Sequence, residues 1–276
     1  MSSPPAKPFG ALGRDVVAIG QGTWQMGRER GQALGALRRG LELGMTHLDT
    51  AEMYTGSEEI VAEAIAGHRR EQVFVVSKVL PQNASRRGTI SACEQSLRRL
   101  KLDRLDVYLL HWRGGHPLED TVAAFEKLEE DGKIAAWGVS NFDVDDLEEL
   151  APLAKHGRPA CNQVLYHLGE RAIEHAVLPW CESHQIALVG YSPFGSGRFR
   201  DDKTLGEVAR SHGATPRQVA LAFLTRRPAL FAIPKASHAP HVEENAGAAE
   251  LSLGAADHEK LDRAFPLGRR RSLPSL

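Results

Sequence analysis

Residues 105–141, "LDVYLLHWRGGHPLEDTVAAFEKLEEDGKIAAWGVSN", contain two strand-like runs separated by one amphipathic segment. The runs 105–112 and 134–141 are almost continuously apolar, as in strands that are buried on both faces. The segment between them has apolar residues at spacings of three and four: Leu118, Val122, Phe125 and Leu128. This spacing predicts a helix over 117–131, and a strand, a helix and a second strand in this order favour parallel pairing of the strands.

The alternation of strand-like and helix-like segments repeats eight times along the chain. The predicted strands cover residues 16–22, 46–51, 73–78, 105–112, 134–141, 159–164, 186–192 and 230–236. The predicted helices cover residues 31–43, 57–67, 85–100, 117–131, 143–155, 172–184, 203–226 and 239–248. Eight such units favour an α/β fold in which a parallel sheet closes into a (β/α)8 TIM barrel. Because no linker interrupts the pattern, we expect one domain over residues 1–276.

Two features near the N-terminus bear on this choice of fold. Gly20 and Gly22 form a Gly-x-Gly, but the Gly-x-x-Gly continuation of a Rossmann dinucleotide loop is missing, and no helix starts directly after the loop. We therefore interpret the two glycines as positions of close backbone approach. Before them, residues 8–17 have a glycine between two short apolar stretches, which predicts a short hairpin across the bottom of the barrel.

Composition and charge exclude several classes of protein. The 276 residues are 42% hydrophobic and 25% charged, which is ordinary for a globular protein. A formal net charge of −1 gives no overall attraction to nucleic acid or anionic lipid. Three widely spaced cysteines suggest a reducing compartment, and no apolar run reaches the roughly 18 residues of a membrane-spanning helix. We expect a cytoplasmic protein with no nucleic-acid or membrane partner, monomeric by default for this architecture.

Polar side chains follow the predicted strands at the points where the strands end. They are Asp49 and Tyr54, Lys78, His111, Ser140 and Asn141, Asn162 and Gln163, Tyr191 and Ser192, and Lys235. In a barrel the carboxyl ends of the strands meet on one face, which is where catalytic groups lie. Each residue alone has a structural explanation, but their common placement indicates an active site.

Four of these residues suggest proton transfer to a carbonyl group. A tyrosine hydroxyl has a pKa of about 10, and a nearby lysine ammonium would lower the pKa of Tyr54 by stabilising the phenolate. Asp49 could keep Lys78 protonated. His111 could hydrogen-bond the carbonyl oxygen and share in the proton transfer. Because no side chain supplies the two electrons that the carbonyl carbon also needs, the set implies a hydride-carrying cofactor.

Seven segments, in order, resemble the aldo-keto reductase family over nearly the whole chain. They are "HLDTAEMY" (47–54), "VFVVSKV" (73–79), "RLDVYLLHW" (104–112), "GKIAAWGVSNF" (132–142), "CNQVLYH" (161–167), "GYSPFGSG" (190–197) and "IPKASHAPHVEEN" (233–245). The resemblance implies a (β/α)8 barrel that uses a nicotinamide dinucleotide without a Rossmann domain. It also implies a catalytic tetrad, with Tyr54 as the general acid: Asp49, Tyr54, Lys78 and His111.

The resemblance further implies how the cofactor is held. Ser140, Asn141 and Gln163 match residues that hydrogen-bond the nicotinamide carboxamide, and Tyr191 matches the aromatic residue that stacks on the ring. The other implied contacts are Gly22, Thr23, Trp24, Asp49, Ser192, Phe194, Gly195, Ser196, Lys235, Ala236, Ser237, His241, Glu244 and Asn245. Family members often have Arg near the adenosine 2′-phosphate, where this chain has His238 and His241. Since Lys235 and a helix N-terminus still supply positive potential, NADPH is favoured, and NADH stays possible.

The expected substrate pocket lies beside the catalytic positions and consists of Trp24, Met53, Leu80, Trp112, Arg113 and Phe142. Its apolar and aromatic character, with short flanking loops such as "GSGRFRDD" (195–202), predicts an open site for small aldehydes or ketones. Dicarbonyls such as methylglyoxal are one option. Arg113 could bind a carboxylate or phosphate on the substrate, or it could extend into solvent.

The segment after Tyr54 departs from the family pattern. Thr55 and Gly56 stand where family members usually have a glycine directly after the tyrosine, which leaves the shape of this loop open. Ser57, with two acidic residues after it, predicts the N-cap of the next helix.

Two other functions remain as alternatives. One is a nicotinamide-binding regulatory barrel with little turnover, similar to potassium-channel β subunits. The complete tetrad argues against it, and a turnover assay would separate the two. The other is a metal-dependent barrel isomerase or hydrolase. One His and one Asp with a Lys between them make a poor metal site, so we expect no metal.

Overall fold

The computed structural model describes residues 4–154, 157–197, 199 and 202–274, which form ten strands, ten α-helices and six short 3-10 helices. The strands are β1 (Ala6–Pro8), β2 (Asp15–Val17), β3 (Gln21–Gly22), β4 (His47–Asp49), β5 (Phe74–Val79), β6 (Leu105–Leu110), β7 (Ile134–Ser140), β8 (Cys161–Leu165), β9 (Ala187–Tyr191) and β10 (Leu230–Ile233). The helices are α1 (Arg30–Glu42), α2 (Ser57–Ile65), α3 (Arg86–Leu100), α4 (Leu118–Glu130), α5 (Val144–Leu150), α6 (Val177–Ser183), α7 (Lys203–Ser211), α8 (Pro216–Leu224), α9 (Ala239–Gly247) and α10 (Ala255–Ala264). Among the described residues, no helix is both long enough and apolar enough to cross a membrane.

Eight parallel strands, β3 to β10, form the central sheet in sequence order. The sheet closes because two parallel bridges join the β3 segment to the β10 segment: Ile19 pairs with Ala232, and Gly22 pairs with Lys235. A Cβ atom at Gly22 would lie 2.7 Å from the carbonyl oxygen of Ile233. The interpretation of Gly22 as a point of close backbone approach is therefore confirmed, as is the (β/α)8 barrel.

Alternate residues of each strand point into the barrel, as the two-residue period of a strand requires. In β5, Phe74 and Val76 belong to the apolar cluster inside the barrel, whereas Val75 and Val79 belong to the cluster between the sheet and the helices. Lys78 continues the interior set at the carboxyl end of the strand and is fully buried. The barrel interior is therefore apolar near the amino ends of the strands, its lower end, and polar near their carboxyl ends, its upper end.

The predicted hairpin is present, formed by antiparallel pairing of β1 with β2. Phe9, in its turn region, is fully buried, and its ring lies 4.9 Å from the rings of both Phe74 and Phe231. Because Phe74 and Phe231 lie near the amino ends of their strands, Phe9 closes the bottom of the barrel.

The first predicted strand has different bounds in the structure. Val16 and Val17, which we assigned to the barrel, pair with β1 of the hairpin instead. Only Gln21 and Gly22 form the barrel strand β3. Residues 16–19 are one uninterrupted apolar run, so the sequence pattern does not show where the chain passes from the hairpin to the barrel.

The predicted helix over 203–226 is two helices. Gly213 adopts a left-handed φ of 62° after α7. Thr215 caps α8, and its hydroxyl oxygen accepts a hydrogen bond from the backbone N–H of Gln218 at 3.2 Å. Pro216 is the first residue of α8, where its missing N–H is harmless. The helix α10 was not predicted, because Leu261 is its one buried residue and its apolar pattern is sparse.

Phe9→Ala tests the role of the hairpin in closing the barrel. We expect the free energy of unfolding to fall by about 3–5 kcal/mol, because the substitution leaves a cavity between two aromatic rings. Urea denaturation would measure the loss. Leu267→Ala, at an exposed leucine, is the control, with an expected change of about 0.5 kcal/mol or less. Equal losses in the two variants would contradict the role of Phe9.

Candidate active site

A buried ion pair lies at the upper end of the barrel interior. The Lys78 ammonium donates to Oδ1 of Asp49 at 2.5 Å and to the Thr50 carbonyl oxygen at 2.8 Å. The second Asp49 oxygen, Oδ2, accepts a hydrogen bond from the Gln163 amide at 2.7 Å. Both charged side chains are almost completely buried. Strands β4, β5 and β8 thus bring together three residues that are far apart in sequence.

Tyr54 and His111 lie directly beside this pair. The Tyr54 hydroxyl is 3.5 Å from Nε2 of His111, and the Lys78 ammonium is 5.2 Å from the centre of the Tyr54 ring. Nδ1 of His111 is buried and has no hydrogen-bond partner among the described residues. All four residues of the predicted tetrad therefore meet at one place on the carboxyl face of the barrel.

Burial and the charged neighbours set the protonation of three of these groups. Burial raises the pKa of Asp49, while Lys78 and Gln163 act in the opposite direction. Burial lowers the pKa of Lys78, but Asp49 and Tyr54 outweigh it, so the net pKa is raised and the ammonium stays charged. Burial raises the pKa of Tyr54 and outweighs the lowering by Lys78. Lys78 therefore acts on the pKa of Tyr54 in the predicted direction, but burial outweighs it, and the phenol stays protonated at neutral pH.

The two histidines of the barrel interior are neutral. Burial, reinforced by the charge of Lys78, lowers the pKa of His111 to about 3. The same causes lower the pKa of His47, a fully buried residue of β4, to about 3. His111 can therefore donate or accept a hydrogen bond, but it does not carry a proton as an imidazolium near neutral pH.

The residues predicted to hold the nicotinamide form a connected set on β7, β8 and β9. The Ser140 hydroxyl donates to the Gln163 carbonyl oxygen at 2.8 Å, and the Tyr191 hydroxyl donates to Oδ1 of Asn141 at 2.9 Å. The Asn141 amide donates to the His111 carbonyl oxygen at 3.2 Å. Asn141 has a left-handed φ of 62°, an uncommon conformation for a residue other than glycine. These contacts fix the side chains before any ligand is bound.

The loop after β9 carries four further predicted contacts: Ser192, Phe194, Gly195 and Ser196. Ser192 and Ser196 have left-handed φ values of 50° and 53°, and their hydroxyl oxygens are 3.1 Å apart. Residues 198, 200 and 201 of the predicted short loop lie outside the described residues.

The remaining predicted contacts lie after β3 and after β10. Gly22, Thr23 and Trp24 follow one another at the carboxyl end of β3, and the Thr23 hydroxyl donates to the Asp49 carbonyl oxygen at 2.9 Å. Around the start of α9 is a cavity of about 200 Å³, which we name the α8–α9 cavity. Six predicted contacts line it: Phe194, Lys235, Ala236, Ser237, His241 and Asn245. Glu244 lies close by in α9, 3.8 Å from His241.

Sequence reasoning missed two charged residues of the α8–α9 cavity, Glu29 and Arg217. Arg217 was assigned to the middle of one long helix, whereas the structure places it at the second position of α8. In a barrel the helices start on the same face as the active site, so the break before α8 brings Arg217 to that face. The signals for the break were Gly213, Thr215 and Pro216.

The loop after Tyr54 has a defined shape. Gly56 has a left-handed φ of 75° and precedes α2 directly. The prediction that Ser57 is the N-cap is wrong: Gly56 takes that position, and the Ser57 hydroxyl donates to the Thr23 carbonyl oxygen at 2.9 Å. The hydroxyl therefore joins the Tyr54 loop to the segment after β3.

The mouth of the site is largely apolar. Trp24, Met53 and Trp112 are 42%, 41% and 38% exposed, which is unusual for large hydrophobic side chains. They follow β3, β4 and β6, and the half-buried Leu80 follows β5. The ring of Trp112 lies 4.9 Å from that of His111. These four predicted pocket residues thus follow neighbouring strands, three of which carry or precede the residues of the tetrad.

Two of the predicted pocket residues need correction. Phe142 is fully buried in the cluster between sheet and helices, and its backbone is held by Asn162 through hydrogen bonds of 3.4 and 2.8 Å. It therefore does not line an open pocket. Arg113 neither extends freely into solvent nor remains available to a substrate, because its guanidinium pairs with Asp146 at 2.8 Å and with Glu149 at 2.7 Å.

The neutral state of His111 predicts a pH dependence of stability. In the unfolded chain a histidine titrates at about 6.5, so below that pH the unfolded state binds more protons than the folded state, and stability falls towards pH 3. In His111→Gln we expect this slope to be smaller by up to about 1.4 kcal/mol per pH unit. Urea denaturation between pH 7.5 and 5 would measure it, and parallel curves for the two proteins would contradict the assignment.

Lys78→Met tests the buried ion pair. We expect the free energy of unfolding to fall by about 3–5 kcal/mol, because Asp49 is left buried without its partner. The matched double variant Lys78→Met with Asp49→Asn removes both charges and should recover most of that loss. Thermal or urea unfolding of the three proteins would decide, and a double variant no more stable than the single one would contradict the prediction.

Known proteins are similar to this chain over nearly its whole length. The sequence model of the Aldo/keto reductase family matches residues 18–265. Methylglyoxal reductase YeaE of Escherichia coli (strain K12) is 48% identical over 259 residues, covering 90% of this chain and 91% of that protein. Glyoxal reductase of Bacillus subtilis (strain 168) is 35% identical over 232 residues, covering 84% and 83%.

Solved structures agree with the sequence relatives. An aldo-keto reductase from Klebsiella pneumoniae in complex with NADPH superposes with a TM-score of 0.93 at 42% identity, covering 100% of both chains. A structure from the same organism, in complex with NADP and acetate, has a TM-score of 0.93 at 44% identity and covers 98% of this chain and 99% of that one. The matches in sequence and in structure extend over the barrel and its catalytic face, and this chain belongs to the aldo/keto reductase family.

Proposed function

We propose that this protein reduces small aldehydes and ketones to alcohols with NADPH, and that 2-oxoaldehydes such as methylglyoxal and glyoxal are its substrate class. The observation that carries the proposal is the protonated Tyr54 hydroxyl beside His111 and the buried Lys78–Asp49 pair, under an open apolar mouth. The names of the two reductase relatives support the substrate class, and the NADPH-bound structural neighbour supports the cofactor.

The residues of the carboxyl face fit a nicotinamide dinucleotide. At one end, Ser140, Asn141 and Gln163 offer amide and hydroxyl groups, and no described residue donates to Oε1 of Gln163. At the other end, the α8–α9 cavity has the cations Lys235 and Arg217, which suit a phosphate. When bound, NADPH supplies the hydride that no side chain of the protein can supply.

Tyr54 would deliver the proton to the carbonyl oxygen. Its raised pKa keeps the phenol protonated until a basic alkoxide develops beside it. Lys78, held charged by Asp49, would then stabilise the phenolate that remains. The ion pair therefore acts after proton transfer, although it does not lower the net pKa of the resting phenol.

His111 would position the substrate as a neutral ring. A proton on Nε2 faces Tyr54 and the mouth, whereas a proton on Nδ1 would be a buried donor without an acceptor among the described residues. The tautomer protonated at Nε2 is therefore favoured. That N–H would donate to the substrate carbonyl oxygen and orient it towards the Tyr54 hydroxyl.

The mouth favours small uncharged carbonyl compounds. Trp24, Met53 and Trp112 offer apolar surface, and the guanidinium of Arg113 is already paired with two carboxylates. A substrate carboxylate or phosphate would have to displace Asp146 or Glu149 to reach it. Compounds of the size of methylglyoxal need no such charged partner.

Tyr54→Phe tests the proton donor. With methylglyoxal and NADPH as substrates, we expect kcat to fall by about 10²–10⁴-fold, because only the acidic hydroxyl is lost. The Kd of NADPH, measured by fluorescence titration, should stay within about twofold of the wild-type value, since the phenol contributes to catalysis rather than to cofactor affinity. A loss of NADPH affinity as large as the loss of rate would contradict the role of Tyr54.

The wild-type protein in the same experiment tests the function itself. Steady-state rates with methylglyoxal, glyoxal and a simple aldehyde, each with NADPH and with NADH, should show turnover that is faster with NADPH. Binding of NADPH without turnover of any carbonyl compound would overturn the proposal and favour a regulatory nicotinamide-binding barrel.

A further inference from the structure

We propose that Arg217 binds the 2′-phosphate of NADPH and is the main residue by which this chain distinguishes NADPH from NADH. The inference rests on the proposed NADPH-dependent reduction and assigns its cofactor selectivity to one residue. Arg217 lies outside the segment 235–241, in which sequence reasoning placed all the 2′-phosphate contacts.

The composition of the α8–α9 cavity favours a phosphate. Among the described residues that line it are two basic side chains, Arg217 and Lys235, two histidines and a single acidic side chain, Glu29. The Ser237 hydroxyl and the Asn245 amide are nearly buried and add neutral hydrogen-bonding groups. A phosphate would therefore meet an excess of positive charge and several donors in about 200 Å³.

Arg217 has no anionic partner in the described part of the chain. No carboxylate there lies within ion-pairing distance of its guanidinium, in contrast to Arg113, which is paired with two. Instead, the guanidinium carbon lies 4.9 Å from the centre of the Phe194 ring and 5.2 Å from that of Phe199. Stacking on aromatic rings restricts the side chain without occupying its N–H donors. The donors of a pre-positioned guanidinium are thus available to a phosphate.

The rings that hold Arg217 belong to the loop predicted to contact the cofactor. Phe194 is followed directly by Gly195 and Ser196, which are also implied cofactor contacts, and its ring is 5.5 Å from that of Phe199. Arg217 also lies in the first turn of α8, where the helix dipole favours an anion. One loop and one helix therefore place the cation beside the adenosine end of the expected cofactor site.

The other cations of the cavity are weaker candidates for selectivity. Lys235 is exposed, and an ammonium is a single point charge, whereas a guanidinium can hold a phosphate through two parallel hydrogen bonds. The ring of His241 is largely exposed and lies 3.8 Å from Glu244, so a carboxylate competes for it. Histidine also carries its charge only when protonated, whereas arginine always does.

The test compares the affinities of the purified enzyme for NADPH and NADH, together with 2′,5′-ADP and 5′-AMP, by fluorescence titration or calorimetry. In Arg217→Ala we expect the Kd of NADPH and of 2′,5′-ADP to rise by about 10- to 100-fold, as for loss of a charged hydrogen bond. The Kd of NADH and of 5′-AMP should stay within about twofold, which also shows that the variant is folded. Arg217→Lys should give an intermediate loss, because it keeps the charge but not the planar fork.

Arg210→Ala is the matched control, because it removes an exposed arginine from the neighbouring helix α7, away from the cavity. It should leave all four affinities unchanged. Equal losses of NADPH and NADH affinity in Arg217→Ala would mean that the residue contacts the adenine or the ribose, and would overturn the proposal. An unchanged NADPH to NADH ratio would overturn it while leaving the proposed function intact. Failure of the wild-type enzyme to bind NADPH would overturn both.

Discussion

The buried ion pair between Lys78 and Asp49 is the interaction on which the upper part of the barrel depends. It places a permanent charge where the interior would otherwise be apolar, and that charge acts on every titratable neighbour. It lowers the pKa of His47 and His111, adding to the effect of burial, and opposes the effect of burial on Tyr54. Gln163, on the opposite side of the barrel, also donates a hydrogen bond to Asp49 of the pair. The protonation states of His47, His111 and Tyr54 thus follow from burial and from the charge of Lys78.

Much of this arrangement could be predicted because a strand repeats every two residues. Phe74, Val76 and Lys78 share one face of β5, so an apolar run that ends in a charged residue already indicates a closed apolar interior with a polar end. The positions of Asp49 and His111 follow from the same rule on neighbouring strands. The tetrad was therefore predictable from the ends of the strands together with the family resemblance.

What could not be predicted depends on contacts between distant parts of the chain. The bounds of the first strand depend on whether Val16 pairs with the hairpin or with the barrel, and both choices satisfy its apolar character. The net pKa of Tyr54 depends on burial, which outweighs the neighbouring lysine. Phe142 and Arg113 were placed by their nearness in sequence to catalytic positions, but packing buries one and two carboxylates of α5 engage the other. Arg217 was missed because the break between α7 and α8 was not predicted.

The pairing of Arg113 with Asp146 and Glu149 has a consequence for how substrates reach the site. A free guanidinium at the rim would project a positive field and speed the approach of anions, an effect that salt suppresses. With its charge compensated at 2.7 and 2.8 Å, Arg113 adds little to the field over the mouth. Anionic compounds therefore gain little steering from Arg113, whereas small neutral carbonyl compounds diffuse to the site at a rate that ionic strength hardly changes. Among compounds of this size, we expect the apolar rim to select by shape and hydrophobicity rather than by charge.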